Sequence, residues 1–241
     1  PYDPGAPRMN FLLAETLYDA GKYPRAIDEY HKAAYDYEFH ADSAEAGYAA
    51  LIAYDSLLKT AAANQLQTLR EQRIRSAVRF TTAFYDDPRV AAVELQTAQQ
   101  FFSWQQYPEA MASALRLIYN SGIDQHTKQQ AWTILADAQF STSDYAAAED
   151  SYQALLEFKG VDGEQRKAVR EQIAASIYKQ GELARDGGHH RLAAEHFTRL
   201  GKTIPESPTR VVADYDAATA YLQLEDWPAA IAELQAFRRN Y

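Results

Sequence analysis

The chain has 241 residues, of which 47% are hydrophobic and 12% aromatic, with 17 tyrosines, no cysteine and a net charge of −9. That apolar fraction excludes a disordered polymer, and the lack of cysteine excludes a disulfide framework, a thiolate zinc site and a cysteine nucleophile. The acidic balance argues against nonspecific binding to nucleic acid or to an anionic membrane, and no run of about 18 apolar residues is present to cross a bilayer.

Residues 1–7 form a Pro- and Gly-rich lead without signal-peptide character, and Tyr241 closes the chain inside a helical pattern. Both ends read as cut, so a segment of a longer protein is expected. Between them Gly and Pro are scarce and punctuate periodic segments rich in Ala, Leu, Gln, Glu and Arg, residues that lose little rotamer freedom in a helix. Apolar residues recur at three and four, as at Phe11, Leu12, Leu17 and Tyr18, and again at Ala131, Trp132, Leu135, Ala136 and Phe140. No stretch alternates as a strand would. The chain is predicted to be all-α.

One pattern recurs along it. Gly21-Lys22-Tyr23-Pro24-Arg25-Ala26 leads to Tyr30 and Ala33; Ser143-Asp144-Tyr145-Ala146-Ala147-Ala148 leads to Tyr152 and Leu155; Glu225-Asp226-Trp227-Pro228-Ala229-Ala230 leads to Leu234 and Phe237. Each reads as a turn, an aromatic, a small anchor residue, then a large residue four later. Tyr107 with Ala110 and His190 with Ala193 open two more copies, and Ser76 with Phe80 a weaker one. The anchors Ala26, Ser76, Ala110, Ala148, Ala193 and Ala230 are spaced by 50, 34, 38, 45 and 37 residues.

This pattern resembles the tetratricopeptide repeat (TPR) family, with its helix–turn–helix unit of about 34 residues. The resemblance implies a single α-α superhelix over 1–241, a right-handed solenoid of about six repeats near 8–40, 43–88, 89–122, 127–160, 166–205 and 208–241. Extra length falls near 57–69, which makes the second repeat irregular, and near 160–168. Each hairpin is expected to bury its apolar face only by stacking on the next.

Signals for chemistry are sparse. Gly201-Lys202-Thr203 looks like the end of a phosphate loop but lacks the earlier Gly and the preceding strand, so it reads as a helix C-terminus with Gly201 as left-handed cap. His189, His190 and His196 lack metal-ligand spacing. The carboxylates Asp19, Glu149, Asp150, Asp214, Asp216, Glu225 and Asp226 read as solvated faces or caps, and Arg70, Arg73, Arg75 and Arg79 as a solvated helix face. No nucleophile elbow or dinucleotide fingerprint occurs, so no catalytic residue, metal or cofactor is expected.

In the family, the face lying fifteen, eleven and eight residues before each anchor points into the concave side. Here that face gives Phe11, Glu15 and Tyr18, then Leu95, Gln99 and Phe102, then Thr133, Asp137 and Phe140, then Tyr178, Glu182 and Arg185, then Tyr215, Thr219 and Leu222. The implied groove carries aromatic and aliphatic rows with an acidic or amide row between them. Family members that clamp the terminal carboxylate of chaperones present Lys, Asn and Arg there; Phe11, Glu15, Thr133 and Asp137 predict no such clamp.

The expected function is a non-catalytic scaffold that binds a protein or peptide along this groove, without nucleic acid and without membrane insertion. The alternatives are a structural or self-association segment of a larger multidomain protein, favoured by the apparently cut ends, with Trp227, Leu234 and Phe237 at the end suggesting that further repeats follow, and the scaffold part of a helical-repeat enzyme. Irregular repeats, many Tyr and no Cys resemble bacterial cell-envelope repeat proteins, which implies a periplasmic or envelope location.

Overall fold

A computed structural model describes residues 5–241, and among them there are twelve α-helices, one short 3-10 helix and no strand. The first four residues of the lead lie outside the described residues. Contacts divide the chain into two compact units, Pro1–Thr97 and Ala98–Tyr241.

The first unit holds α1 (Ala6–Asp19), α2 (Tyr23–Tyr35), α3 (Ser43–Thr60) and α4 (Leu66–Ala83), and the boundary falls within α5 (Val90–Ser103). The second continues with α6 (Tyr107–Tyr119), α7 (Gln125–Ser141), α8 (Tyr145–Leu156), α9 (Gly163–Asp186), α10 (His190–Thr203), α11 (Arg210–Gln223) and α12 (Trp227–Asn240). Connections are short, which makes neighbours antiparallel, and within α1–α4 and within α6–α12 each helix packs mainly on the ones before and after it. That sequential packing defines an all-α helical repeat.

The backbone repeats as strictly as the sequence pattern. Gly21, Gln105, Ser143, Gly188 and Glu225 all have positive φ, between 56° and 76°, and each stands five residues before an anchor Ala. The next residue then donates its amide to a carbonyl five residues back: Lys22 to Leu17, Gln106 to Phe101, Asp144 to Gln139, His189 to Ala184 and Asp226 to Tyr221, at 2.8–3.0 Å. This is one Schellman closure used five times to reverse the chain. The α3–α4 connection has no left-handed residue; it runs extended through Ala61 and Ala62 into the 3-10 helix Ala63–Gln65.

Three of the five left-handed residues carry a Cβ, which crowds the following carbonyl in this conformation. Gln105→Gly, Ser143→Gly and Glu225→Gly are each expected to raise stability by about 0.5–1 kcal/mol. Urea unfolding checks this, and Gly21→Ala should move the midpoint the opposite way.

The anchors are buried, and so is the small residue twelve positions earlier in five hairpins: Ala14, Ala98, Ala136, Gly181 and Ala218. Small residues facing each other let the two helices of a hairpin approach closely. Large residues fill the remaining space: Leu17, Ile27, Tyr30, Leu51 and Phe80 in the first unit, and Tyr152, Ile173, Ile177, Phe197 and Leu200 in the second.

Several local expectations are corrected. Helix α1 begins at Ala6 because Pro7 sits in its first turn, where a missing N–H costs nothing. The helix of the weaker copy at Ser76 and Phe80, expected to end at Pro88, ends earlier, with α4 stopping at Ala83. Gly201 lies inside α10 without a positive φ. Its lack of a side chain serves packing instead, since a Cβ there would stand 3.0 Å from Asp214 Oδ1 and 3.2 Å from Arg210 Nε. Arg73 is buried rather than solvated, held by Asp55 and by Gln96 at 2.8 Å. Glu149 and Asp214 are buried too, paired with Arg199 and Arg210.

Candidate functional site

The residues proposed to line the groove stand on the first helix of each pair, and the structure gives each of the three positions a distinct environment. At the outermost position, eight before the anchor, Tyr18, Phe102 and Phe140 reach across the turn to the aromatic that opens the second helix. Tyr18 meets Tyr23 at 5.4 Å between ring centroids, Phe102 meets Tyr107 at 5.6 Å, and Phe140 meets Tyr145 at 5.1 Å. Tilted and edge-on arrangements of this kind suit the ring quadrupoles. The aromatic after the turn therefore packs as a lock on its own hairpin.

At the middle position, eleven before the anchor, a carboxylate is taken by a tyrosine of the paired helix. The Tyr30 hydroxyl donates to Glu15, and the Tyr152 hydroxyl donates to Asp137 Oδ1 at 2.6 Å. Both tyrosines lie four residues after an anchor Ala. Burial, then the neighbouring carboxylate, pushes both phenols well above their ordinary range. Burial also raises the Asp137 carboxyl, against the opposing effect of the Tyr152 hydrogen bond. Where Phe197 replaces the tyrosine, Glu182 has no such donor and is bound by Lys179 at 2.7 Å and approached by Arg185. Gln99 at this position is exposed, and the half-buried Thr219 caps back onto the Tyr215 carbonyl.

At the innermost position, fifteen before the anchor, Phe11 packs on Tyr30 at 5.9 Å and Tyr178 on Phe197 at 5.3 Å. The Tyr178 hydroxyl donates to Asp216 Oδ2 at 2.7 Å; burial first and this carboxylate second push its phenol up to about 12. Leu95 is half-buried and Thr133 exposed. Tyr215 packs edge-on to Phe237 at 6.5 Å yet is 58% exposed, and Leu222, two turns along the same helix, is 40% exposed.

The fifth hairpin departs from the others. Arg185 and His190 stand where the first, third and fourth hairpins carry the aromatic pair across the turn. They line a cavity of about 220 Å3 with Asp216, Thr219, Ala220 and Gln223. Arg185 reaches Asp216 at 3.3 Å, and His190 Nδ1 is buried without a partner. Within the second unit, the α9–α11 face thus combines an aromatic and an aliphatic side chain open to solvent with a polar recess between them. This recess was not anticipated from sequence, because its members come from three helices. The readable sign was the loss of the turn aromatic at His190.

Among the described residues no group of three or more His, Asp or Glu side chains is placed to hold a metal ion, and no helix is long and apolar enough to cross a membrane.

No family model matches the chain, and no curated protein matches it. Solved structures that it is similar to include one described as functional characterization of Pseudomonas aeruginosa pilF, with 16% identity over 98% of this chain and 92% of that one and a TM-score of 0.40. Another is a tetratricopeptide repeat protein from Parabacteroides merdae, with 13% identity over 95% of this chain and 78% of that one and a TM-score of 0.44. A third is the TPR domain of P58(IPK), with 18% identity over 97% of this chain, which spans 60% of that structure, and a TM-score of 0.36. The fold of this chain is TPR-like on its own geometry: antiparallel hairpins in sequence, small residues at the helix contacts and one recurring turn.

Proposed function

We propose that the chain is a non-catalytic protein-interaction scaffold that binds a peptide or protein segment along the first-helix face of its hairpins. The reading is carried by the α9–α11 face of the second unit. There Tyr215 and Leu222 remain more than a third exposed, seven residues apart on one helix, beside the recess of Arg185, His190 and Asp216. A large rigid aromatic with a polar tip, next to a polar recess, is the usual composition of an interface anchor. Phe140 and Asp137 on α7 extend the proposed face within the same unit. Phe11, Glu15, Tyr18 and Leu95 belong to the corresponding face in the first unit, and Gln99 and Phe102 to the start of the second.

Peptide display on the intact chain tests this. Tyr215→Ala together with Leu222→Ala is expected to weaken the selected peptides about tenfold or more, as loss of two partly exposed anchors should. Helical circular dichroism should change little. Equal binding by wild type and double variant, or no binding to either, contradicts the reading.

A second reading is self-association, favoured by Trp227, Ile231 and Leu234 on α12, which are 56%, 54% and 40% exposed. Contiguous apolar surface of this kind marks contact sites. Sedimentation across a hundredfold concentration range with Ile231→Lys as the control separates it from the first.

A further inference from the structure

A different surface, in the first unit, points to a cationic ligand. Phe39 and Tyr85 are 78% and 71% exposed, although each is a large aromatic. They border a cavity of about 460 Å3 whose wall includes the buried Phe84, together with Ala44, Ala83 and the loop residues Asp86, Asp87 and Pro88. The Phe39 and Phe84 rings stand 6.0 Å apart at 45°, so the recess is faced by aromatic rings on more than one side.

The same aromatic cluster already hosts cations elsewhere. The Arg79 guanidinium lies 3.7 Å from the centroid of the Tyr35 ring, which itself stacks on Phe84, and Arg89 lies 4.6 Å from that of Tyr48. Ring faces attract cations through their quadrupole. Among the described residues no cation lies over the Phe39 or Tyr85 ring.

The residues lining the recess include two carboxylates, Asp86 and Asp87, and no Lys or Arg. Arg89 is bound by Asp87 at 2.8 Å and by Glu45, so it adds no free positive charge. Asp86, on the cavity wall, is exposed and has no ion-pair partner among the described residues, and Glu38, adjacent to Phe39, is exposed. The chain as a whole carries −9. An anionic or purely apolar occupant would leave these carboxylates uncompensated, whereas a cation answers both the rings and the acids.

We propose that this recess receives an arginine side chain of a partner protein. Arginine is favoured over lysine because its planar guanidinium stacks on rings and is the more weakly hydrated cation. The proposal is independent of the α9–α11 face, since the two lie on different units.

The test titrates the intact chain with an acetylated, amidated tetra-arginine peptide, its tetra-citrulline isostere and tetra-lysine, following ring resonances of Phe39 and Tyr85 by NMR. Tetra-arginine should bind and shift those rings, citrulline should not, and lysine should bind more weakly. Phe39→Ala with Tyr85→Ala leaves the net charge unchanged and should weaken tetra-arginine about fivefold or more. Asp86→Asn should weaken it and flatten its salt dependence. Both positions are exposed, so the fold should persist, with circular dichroism as the check. No binding, equal binding of citrulline, or unaltered affinity in the double variant overturns the proposal.

Discussion

Gly181→Val is expected to destabilise the second unit by about 3 kcal/mol or more, the range of a buried position overfilled beside a ring that cannot move. A Cβ on Gly181 would stand 2.4 Å from Phe197 Cε1, 2.7 Å from Cδ1 and 2.9 Å from Cζ. Phe197 is fully buried, with Tyr178 packed on its ring and the Arg185 guanidinium 5.9 Å from its centroid. The ring therefore has nowhere to go. Gly181→Ala adds only the Cβ and gains about 1 kcal/mol of helix propensity, so its net loss should be smaller, about 1–2 kcal/mol.

The corresponding residue is Ala14 opposite Tyr30 and Ala136 opposite Tyr152, and in those hairpins Glu15 and Asp137 hold the tyrosine hydroxyls. Phe197 has no hydroxyl to hold, and its neighbour is Gly. Gly181→Ala combined with Phe197→Leu should therefore recover most of the loss, because the smaller side chain vacates the space. Denaturant unfolding of the four combinations measures the coupling. Strict additivity would show that the contact does not limit stability.

The second large effect concerns Glu149. This carboxylate is buried on α8 and accepts from Arg199 Nη2 at 2.9 Å and from Gln180 Nε2 at 2.7 Å, which joins three helices through one side chain. The two ends of the ion pair differ in access to water: the Glu149 side chain is 6% exposed and the Arg199 side chain 39%. Arg199→Ala strands a buried carboxylate, and should cost about 2–4 kcal/mol, below the full penalty for a deeply buried pair because one end reaches solvent. Glu149→Ala leaves a guanidinium that can turn outward, so it should cost less. Replacing both, as Glu149→Leu with Arg199→Met, should be milder than Arg199→Ala alone. Thermal unfolding gives the order. If Glu149→Ala proved the more damaging, the burial asymmetry would not be what governs the pair.

The all-α helical-repeat pattern and its small anchors were legible in the sequence, because small residues mark the close approach of two helices, whereas the one glycine expected to be left-handed, Gly201, lies inside a helix and the left-handed glycines are Gly21 and Gly188. The same turn at Gln105, Ser143 and Glu225 was legible only through the residues around it, since nothing about those side chains demands a positive φ. Charged residues misled for a different reason. Glu149 and Arg73 look like solvated face residues until their partners, 50 and 18 positions away for Arg199 and Asp55, are brought beside them.

The proposed groove residues were found by counting from the anchors, a procedure that fixes which helix face a residue occupies. It does not tell how far that residue leans onto the paired helix. Tyr18, Phe102 and Phe140 lean onto the turn aromatic, and Glu15 and Asp137 are taken by tyrosines. Tyr215 and Leu222 stay open to solvent.

The claim that the first-helix face makes the partner contact is tested most directly by site-specific photo-crosslinking. A benzophenone side chain is placed at Thr133 or Tyr215, on α7 and α11, or at the exposed Glu195 on α10, and the chain is irradiated with a peptide selected by display. Capture from Thr133 and Tyr215 but not from Glu195 is the predicted result. Capture from Glu195 alone would place the contact on the second helices and contradict it.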